Sequence, residues 1–293
     1  MNAQRQHTRS SLGVESSRLA TLIVGVLSWM ALISHQTTAV EAAVYRSQTF
    51  ASFHREALPG ASVNNYHVGF YDCDFHGGVA VDGSIGTNAT IEVAHSRFCN
   101  TTAIAGTPLS SRIQPNVAGG TQPPMQQLSI FFRNNTVIGQ GLLIGINSGG
   151  TMLICETGCS IAVEGNRFTD GGLSLRAIIF NSTDARAPKA REDLIRVAFN
   201  SFDVRYFDGD SSAVLLHNVE VTAPAALVLE GNTFDINTTR DAPYRGIYIY
   251  DSVVRRARAT VSDVSLAGIL ATPTLVIRGN IMQHRSVIAR RLS

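Results

Sequence analysis

The chain has 293 residues, of which 44% are hydrophobic and only 16% charged, and its formal net charge is +2. This length and apolar content exclude disorder over most of the chain and suffice for one sizeable core or an elongated series of small ones. So small a net charge excludes electrostatic capture of nucleic acid or anionic lipid as the main activity. Frequent Gly (25 residues) and recurring short runs of Val, Ile, Leu and Thr favour strands and turns over surface helices.

The N-terminus reads as an address. Arg5, Arg9 and Arg18 precede an apolar run from Leu19 to Ile33, and a polar stretch then leads to small residues at Ala39 and Ala42. We expect a signal segment over residues 1–42, cleaved after one of those alanines. Its loss removes three arginines and Glu15, leaving the mature chain about neutral. The apolar run is 15 residues, short of the ~20 that cross a bilayer. The expected location is therefore secreted or cell surface. Membrane attachment would come only through an uncleaved N-terminal segment or a C-terminal region missing from this sequence. Residues 43–66, with Phe50, Phe53 and Leu58, are expected to form an N-terminal cap.

From Val68 onward one pattern recurs: apolar, any, apolar, any, any, Asn or a small polar residue, any, then Phe or another apolar residue. It runs Val68–Phe75, Ile91–Phe98, Ile130–Val137, Ile161–Phe168, Ile195–Phe202, Leu227–Phe234 and Leu275–Met282. Apolar residues at i and i+2 alternate as in a strand, whereas a helix would place them at i+3 and i+4. Gly165, Gly231 and Gly279 precede Asn166, Asn232 and Asn280, and both residue types suit a bend. Each copy is thus strand, bend, strand, with Phe168, Phe202 or Phe234 restarting inward burial. The Asn is read either as a turn former or as one rung of an amide ladder between stacked copies.

A second strand follows most copies, at Val79–Val81, Leu142–Ile144, Leu173–Leu175, Ala213–Leu215 and Ile247–Ile249. Successive copies start 23, 39, 31, 34, 32 and 48 residues apart. A solenoid tolerates such irregularity because insertions leave the stack sideways. An antiparallel sandwich would call for tight hairpin turns, and only Asp82-Gly, Asp170-Gly and Asp208-Gly occur. The expected fold is all-β, a right-handed parallel β-helix of about seven coils over residues 67–282, with a short tail at 283–293. That tail is a thin cover for a last coil, so we expect a longer array, or fraying and self-association at this end.

The Glu-Gly-Asn-x-Phe and Arg-Gly-Asn motifs, the signal segment and the Gly-Leu-x-Leu runs resemble the dispersed gene family protein 1 surface proteins of trypanosomatids. More broadly they are similar to pectate-lyase-type β-helices. The resemblance spans roughly residues 64–282 and implies a surface glycoprotein that adheres to host cells, matrix protein or glycan. The family also has membrane segments near its C-terminus, which this chain lacks.

Five glycosylation sequons stand at Asn88, Asn100, Asn134, Asn181 and Asn237. Asn88, Asn181 and Asn237 fall outside the repeat, in expected loops, and Asn134 overlaps a corner. Cys73, Cys99, Cys155 and Cys159 allow three disulfide pairings in an oxidising compartment. Cys73 and Cys99 are about one coil apart and could staple neighbouring layers, while Cys155 and Cys159 could close a small loop. No zinc-ligand spacing or cofactor motif is evident. The alternative function is a polysaccharide lyase or hydrolase of the pectate-lyase-like type. Its candidate clusters are Asp72, Asp74 and His76, read as one face of a strand, and Arg205 with Asp208 and Asp210. No complete catalytic signature accompanies either cluster, so a contact surface is the favoured reading.

Overall fold

A computed structural model describes residues 42–99, 111–115, 124–145, 152–181, 193–204, 212–222, 225–236, 245–255 and 275–284. The signal segment, Arg205, Asp208, Asp210, Asn100, Asn237 and the tail beyond His284 lie outside these residues. Every described element is a strand, and every strand pair is parallel. The strands form three sheets, and the chain visits each in turn before returning one layer further on: this is a parallel β-helix.

The first sheet has eight strands: Ala42–Arg46, His67–Tyr71, Thr90–Ala94, Ser129–Arg133, Ser160–Glu164, Leu194–Ala198, Ala226–Glu230 and Leu275–Arg278. Its register is the register of the repeat. Val68 pairs with Ile91, Ile91 with Ile130, Ile130 with Ile161, Ile161 with Ile195, Ile195 with Leu227 and Leu227 with Leu275. The second sheet, also of eight strands, begins after the bend and carries the aromatic position inward. Phe50 stacks on Phe75 at 4.8 Å, Phe75 on Phe98 at 4.7 Å, Phe168 on Phe202 at 4.8 Å and Phe202 on Phe234 at 5.1 Å, all with nearly parallel ring planes. Those separations match the spacing of hydrogen-bonded strands, so identical residues on successive coils stack ring over ring.

The third sheet holds ten strands and is bent. Its long strands Leu173–Asn181 and Ser212–Thr222 cross the bend at Ala177 and Asn218, both at positive φ. On either side they pair with shorter strands, such as Leu142–Gly145 and Leu153–Thr157. The second-strand runs read from the sequence all fall in this sheet.

The described residues form eight coils, one more than the motif count. Residues 43–66, expected as a cap, instead contribute strands to all three sheets. Ala43 pairs with Val68 and Phe50 with Phe75, and His54–Gly60 pairs along its length with Val79–Ile85. Ala43, Tyr45, Gln48 and Phe50 occupy the positions of the repeat. The pattern is obscured because a small Ala opens it and Gln replaces the corner Asn.

Of the two roles considered for Asn, the ladder is realised. Asn135 donates its side-chain amide to Asn166 Oδ1 at 3.1 Å, Asn166 to Asn200 at 2.9 Å, Asn200 to Asn232 at 3.0 Å and Asn232 to Asn280 at 2.9 Å. Each amide also donates backwards to a carbonyl of the preceding coil, as Asn200 does to Val163 at 2.9 Å. Each Asn N–H in turn is accepted by the next Oδ1. A buried amide satisfied on three sides stabilises the corner, whereas an unpaired one would cost about 1–3 kcal/mol. Ser96 and Cys73 continue the column with smaller groups, the Cys73 N–H donating to Ser96 Oγ at 3.1 Å.

The residue before each rung, not the Asn, adopts the left-handed bend. Gly165, Gly231 and Gly279 do so with φ between 62 and 66 degrees, and Ser47, Asp72, His95, Asn134 and Phe199 do so without glycine's freedom.

Candidate functional site

Strand alternation sends i and i+2 of each first-sheet strand into the core and i+1 and i+3 to the exterior. On an in-register stack the outward residues form columns along the axis, so each exposed side chain meets its equivalents one layer away. Two columns on this face carry aromatic and charged groups side by side.

At the first coils, the Arg46 guanidinium lies 4.4 Å over the Tyr71 ring. The Tyr71 hydroxyl donates to Glu92 Oε2 at 2.7 Å and contacts His67 Nε2 at 3.1 Å. Burial and the Glu92 hydrogen bond push the Tyr71 hydroxyl up to about 12, so it remains a donor at any physiological pH. Further along, an ion ladder crosses five coils. Arg133 pairs with Glu164 at 3.1 Å, Arg196 bridges Glu164 at 2.9 Å and Glu230 at 3.6 Å, and Arg278 reaches Glu230 at 2.8 Å. Arg278 and Arg196 hold the Glu230 carboxyl below the usual range. Arg133 also lies 4.0 Å over Phe131, and Arg196 5.6 Å over Phe199.

Phe199 is the anomaly of this face. Its side chain is exposed (58%) and its backbone sits at φ 56, a conformation that a bulky L-residue adopts at a cost of about 1–2 kcal/mol. Gly165 and Gly231 occupy the same bend in the neighbouring coils. A Cβ on Gly231 would stand 2.6 Å from the Phe199 ring, so that glycine gives the ring its place against the next layer. The fold requires the bend, and glycine makes it in three other coils without a ring. The signal was present in the sequence, since Phe stands in Ile195–Phe202 where three other copies have Gly, but the motif reading passed over it.

The enzyme candidates are only partly brought together. Asp74 Oδ2 lies 3.3 Å from His76 Nε2 on either side of buried Phe75. Asp72, expected on the same face, is the left-handed bend residue, exposed on the near side of buried Cys73. The contact shown among the described residues is one Asp–His pair, and an acid–base constellation requires further groups placed against a substrate. Among the described residues no three His, Cys, Asp or Glu side chains are arranged to hold a metal ion.

Of the sequons, Asn88 and Asn134 stand exposed at left-handed bends. The Asn88 side-chain amide donates to Asn65 Oδ1 at 2.6 Å. Asn181 closes a third-sheet strand rather than lying in a loop.

All four cysteines are free thiols. Cys73 and Cys99 are on adjacent coils, as their spacing implies, but in different columns. Cys73 stacks on Ser96, whereas Cys99 follows Phe98 in the second sheet. Cys155 and Cys159 are both buried and adjacent to one another.

Comparison of the chain with protein-family models, with curated proteins and with solved structures gives no match.

Proposed function

We propose that this chain works outside the cell, as a secreted or surface glycoprotein whose first-sheet face adheres to host cells, matrix protein or glycan. The observation that carries the reading is Phe199, an exposed aromatic ring held in a strained bend beside Arg196. Strain that the fold does not need points to function, and aromatic and Arg side chains are the usual anchors of contact surfaces. The parallel stack supports the same reading, because it holds outward groups in fixed columns and lowers the ordering cost of binding. Sequons at exposed bends suit a glycoprotein.

Phe199→Gly tests the proposal. It gives coil six the bend residue of its neighbours, so stability should be unchanged or slightly raised. Binding of the mature chain to a panel of host cells, matrix proteins and glycans should fall at least about tenfold. Undiminished binding by Phe199→Gly, or no binding by the native chain, overturns it. A parallel assay for uronide cleavage is expected to show no turnover.

A further inference from the structure

The corner between the third sheet and the first sheet of coil five contains two thiols. Cys155 lies in Leu153–Thr157, and Cys159 immediately precedes Ser160–Glu164. Gly158 between them has φ 67, which turns the chain back on itself, so that residues four apart in sequence both point into the core. They are 2% and 1% exposed. Both flank Met125 of the preceding layer, which pairs in register with Cys155 and whose carbonyl lies 3.5 Å from the Cys159 thiol. Their mutual influence pushes Cys155 well up and Cys159 down from the ordinary thiol range. Cys159 is further held in place by its N–H, which Asp193 Oδ1 accepts at 2.7 Å.

The other two cysteines lack this arrangement. Cys73 occupies the rung position of the corner ladder, where its thiol donates to the Tyr71 carbonyl at 3.4 Å, and the rung beside it is Ser96, not Cys99.

We propose that Cys155 and Cys159 form a disulfide when the chain folds in an oxidising compartment, and that Cys73 and Cys99 stay reduced. The oxidant is a low-molecular-weight disulfide such as oxidised glutathione. One thiolate attacks it and releases one reduced thiol, and the second thiolate then attacks the mixed disulfide and releases the other. The two cysteines together lose two protons and two electrons, and the oxidant becomes two thiols. Both sulfurs are enclosed in the finished coil, so exchange takes place while the corner is still open. The product is a ring fixing the entry into coil five, where the chain leaves the bent sheet for the ladder face.

Refolding the reduced mature chain in a glutathione redox buffer, followed by alkylation and peptide mapping, tests this without reference to where the protein resides. The peptide containing Cys155 and Cys159 should carry an internal bond and escape alkylation, while Cys73 and Cys99 are both alkylated. A Cys73–Cys99 link, or four alkylated thiols after refolding in excess oxidised glutathione, overturns the proposal. The second readout is thermal: reductant should lower the unfolding midpoint of the native sequence and leave a Cys155→Ala/Cys159→Ala variant unmoved. Equal insensitivity in both proteins would also overturn it. Neither result bears on Phe199, so this proposal and the contact-face reading fail separately.

Discussion

The two ends of the described helix are built on the same repeat and finished in opposite ways. At the N-terminal end, inward positions carry polar tips. The Tyr45 hydroxyl donates to Glu56 Oε2 at 2.7 Å, and His54 Nε2 lies 3.6 Å from the same oxygen. Tyr45 stacks on Phe70 at 4.9 Å, and Phe50 and His54 pack edge-on against the same ring, closing the aromatic column. At the C-terminal end, Leu275 and Met282 occupy the same columns as Leu227 and Phe234. They are 41% and 58% exposed, against 1% and 0% for their predecessors. An inward side chain is therefore buried by the next coil, not by its own, as expected of a stack whose units cannot bury their apolar face alone. The first coil has side chains that tolerate water. The last described coil leaves apolar side chains exposed.

The comparison is sharpest for the aromatic column. Phe202→Ala removes a ring stacked on both sides and should cost about 3–5 kcal/mol, whereas Met282→Ala in the same column should cost below about 1 kcal/mol. Equilibrium unfolding of the pair measures the difference, and equal losses would break the account of burial by neighbours.

The ladder gives a smaller contrast. Asn200→Ala strands the Asn166 N–H and the Val163 carbonyl inside the corner, and should cost about 1–3 kcal/mol. Asn280→Ala removes only the terminal rung and should cost less.

The N-terminal end adds a pH dependence of its own. The hydrogen bond to Glu56, followed by burial, pushes the Tyr45 hydroxyl up to about 12 from an ordinary value near 10. A raised acid binds its proton more tightly when folded, so its contribution is fully present below pH ~10 and is lost as pH climbs through 12. Tyrosinate absorbance of Tyr45→Phe should lack one late-titrating group. The smallest effect is expected on the ion ladder, where Glu164→Gln should change stability by below about 1 kcal/mol, because these pairs face solvent.

Much of this was legible in the sequence, and the reasons are local. The columns from Val68 to Leu275 follow from a pattern of period two broken at a fixed place, which leaves one register for parallel stacking. The Asn column was visible as recurrence, although choosing between ladder and turn former required its hydrogen bonds. The first coil was hidden because Ala43, Ser47 and Gln48 satisfy the backbone geometry without resembling the consensus. The bent third sheet has no residue signature of its own, since Ala177 and Asn218 make the same turn with unrelated side chains. Phe199 was legible only as a departure from the repeat, and its meaning comes from exposure and φ together.

The account depends most on the claim that the repeats stack in one parallel register. Val44, Glu92 and Val228 all occupy the outward i+1 column, on coils one, three and seven. Spin labels at Val44 and Val228 should be separated by six layers, about 29 Å between backbones, and those at Glu92 and Val228 by four layers, about 19 Å, at ~4.8 Å per layer. Dipolar distances in that ratio are the expected result. Two distances that fail to shorten by about 10 Å between the pairs would contradict the stack.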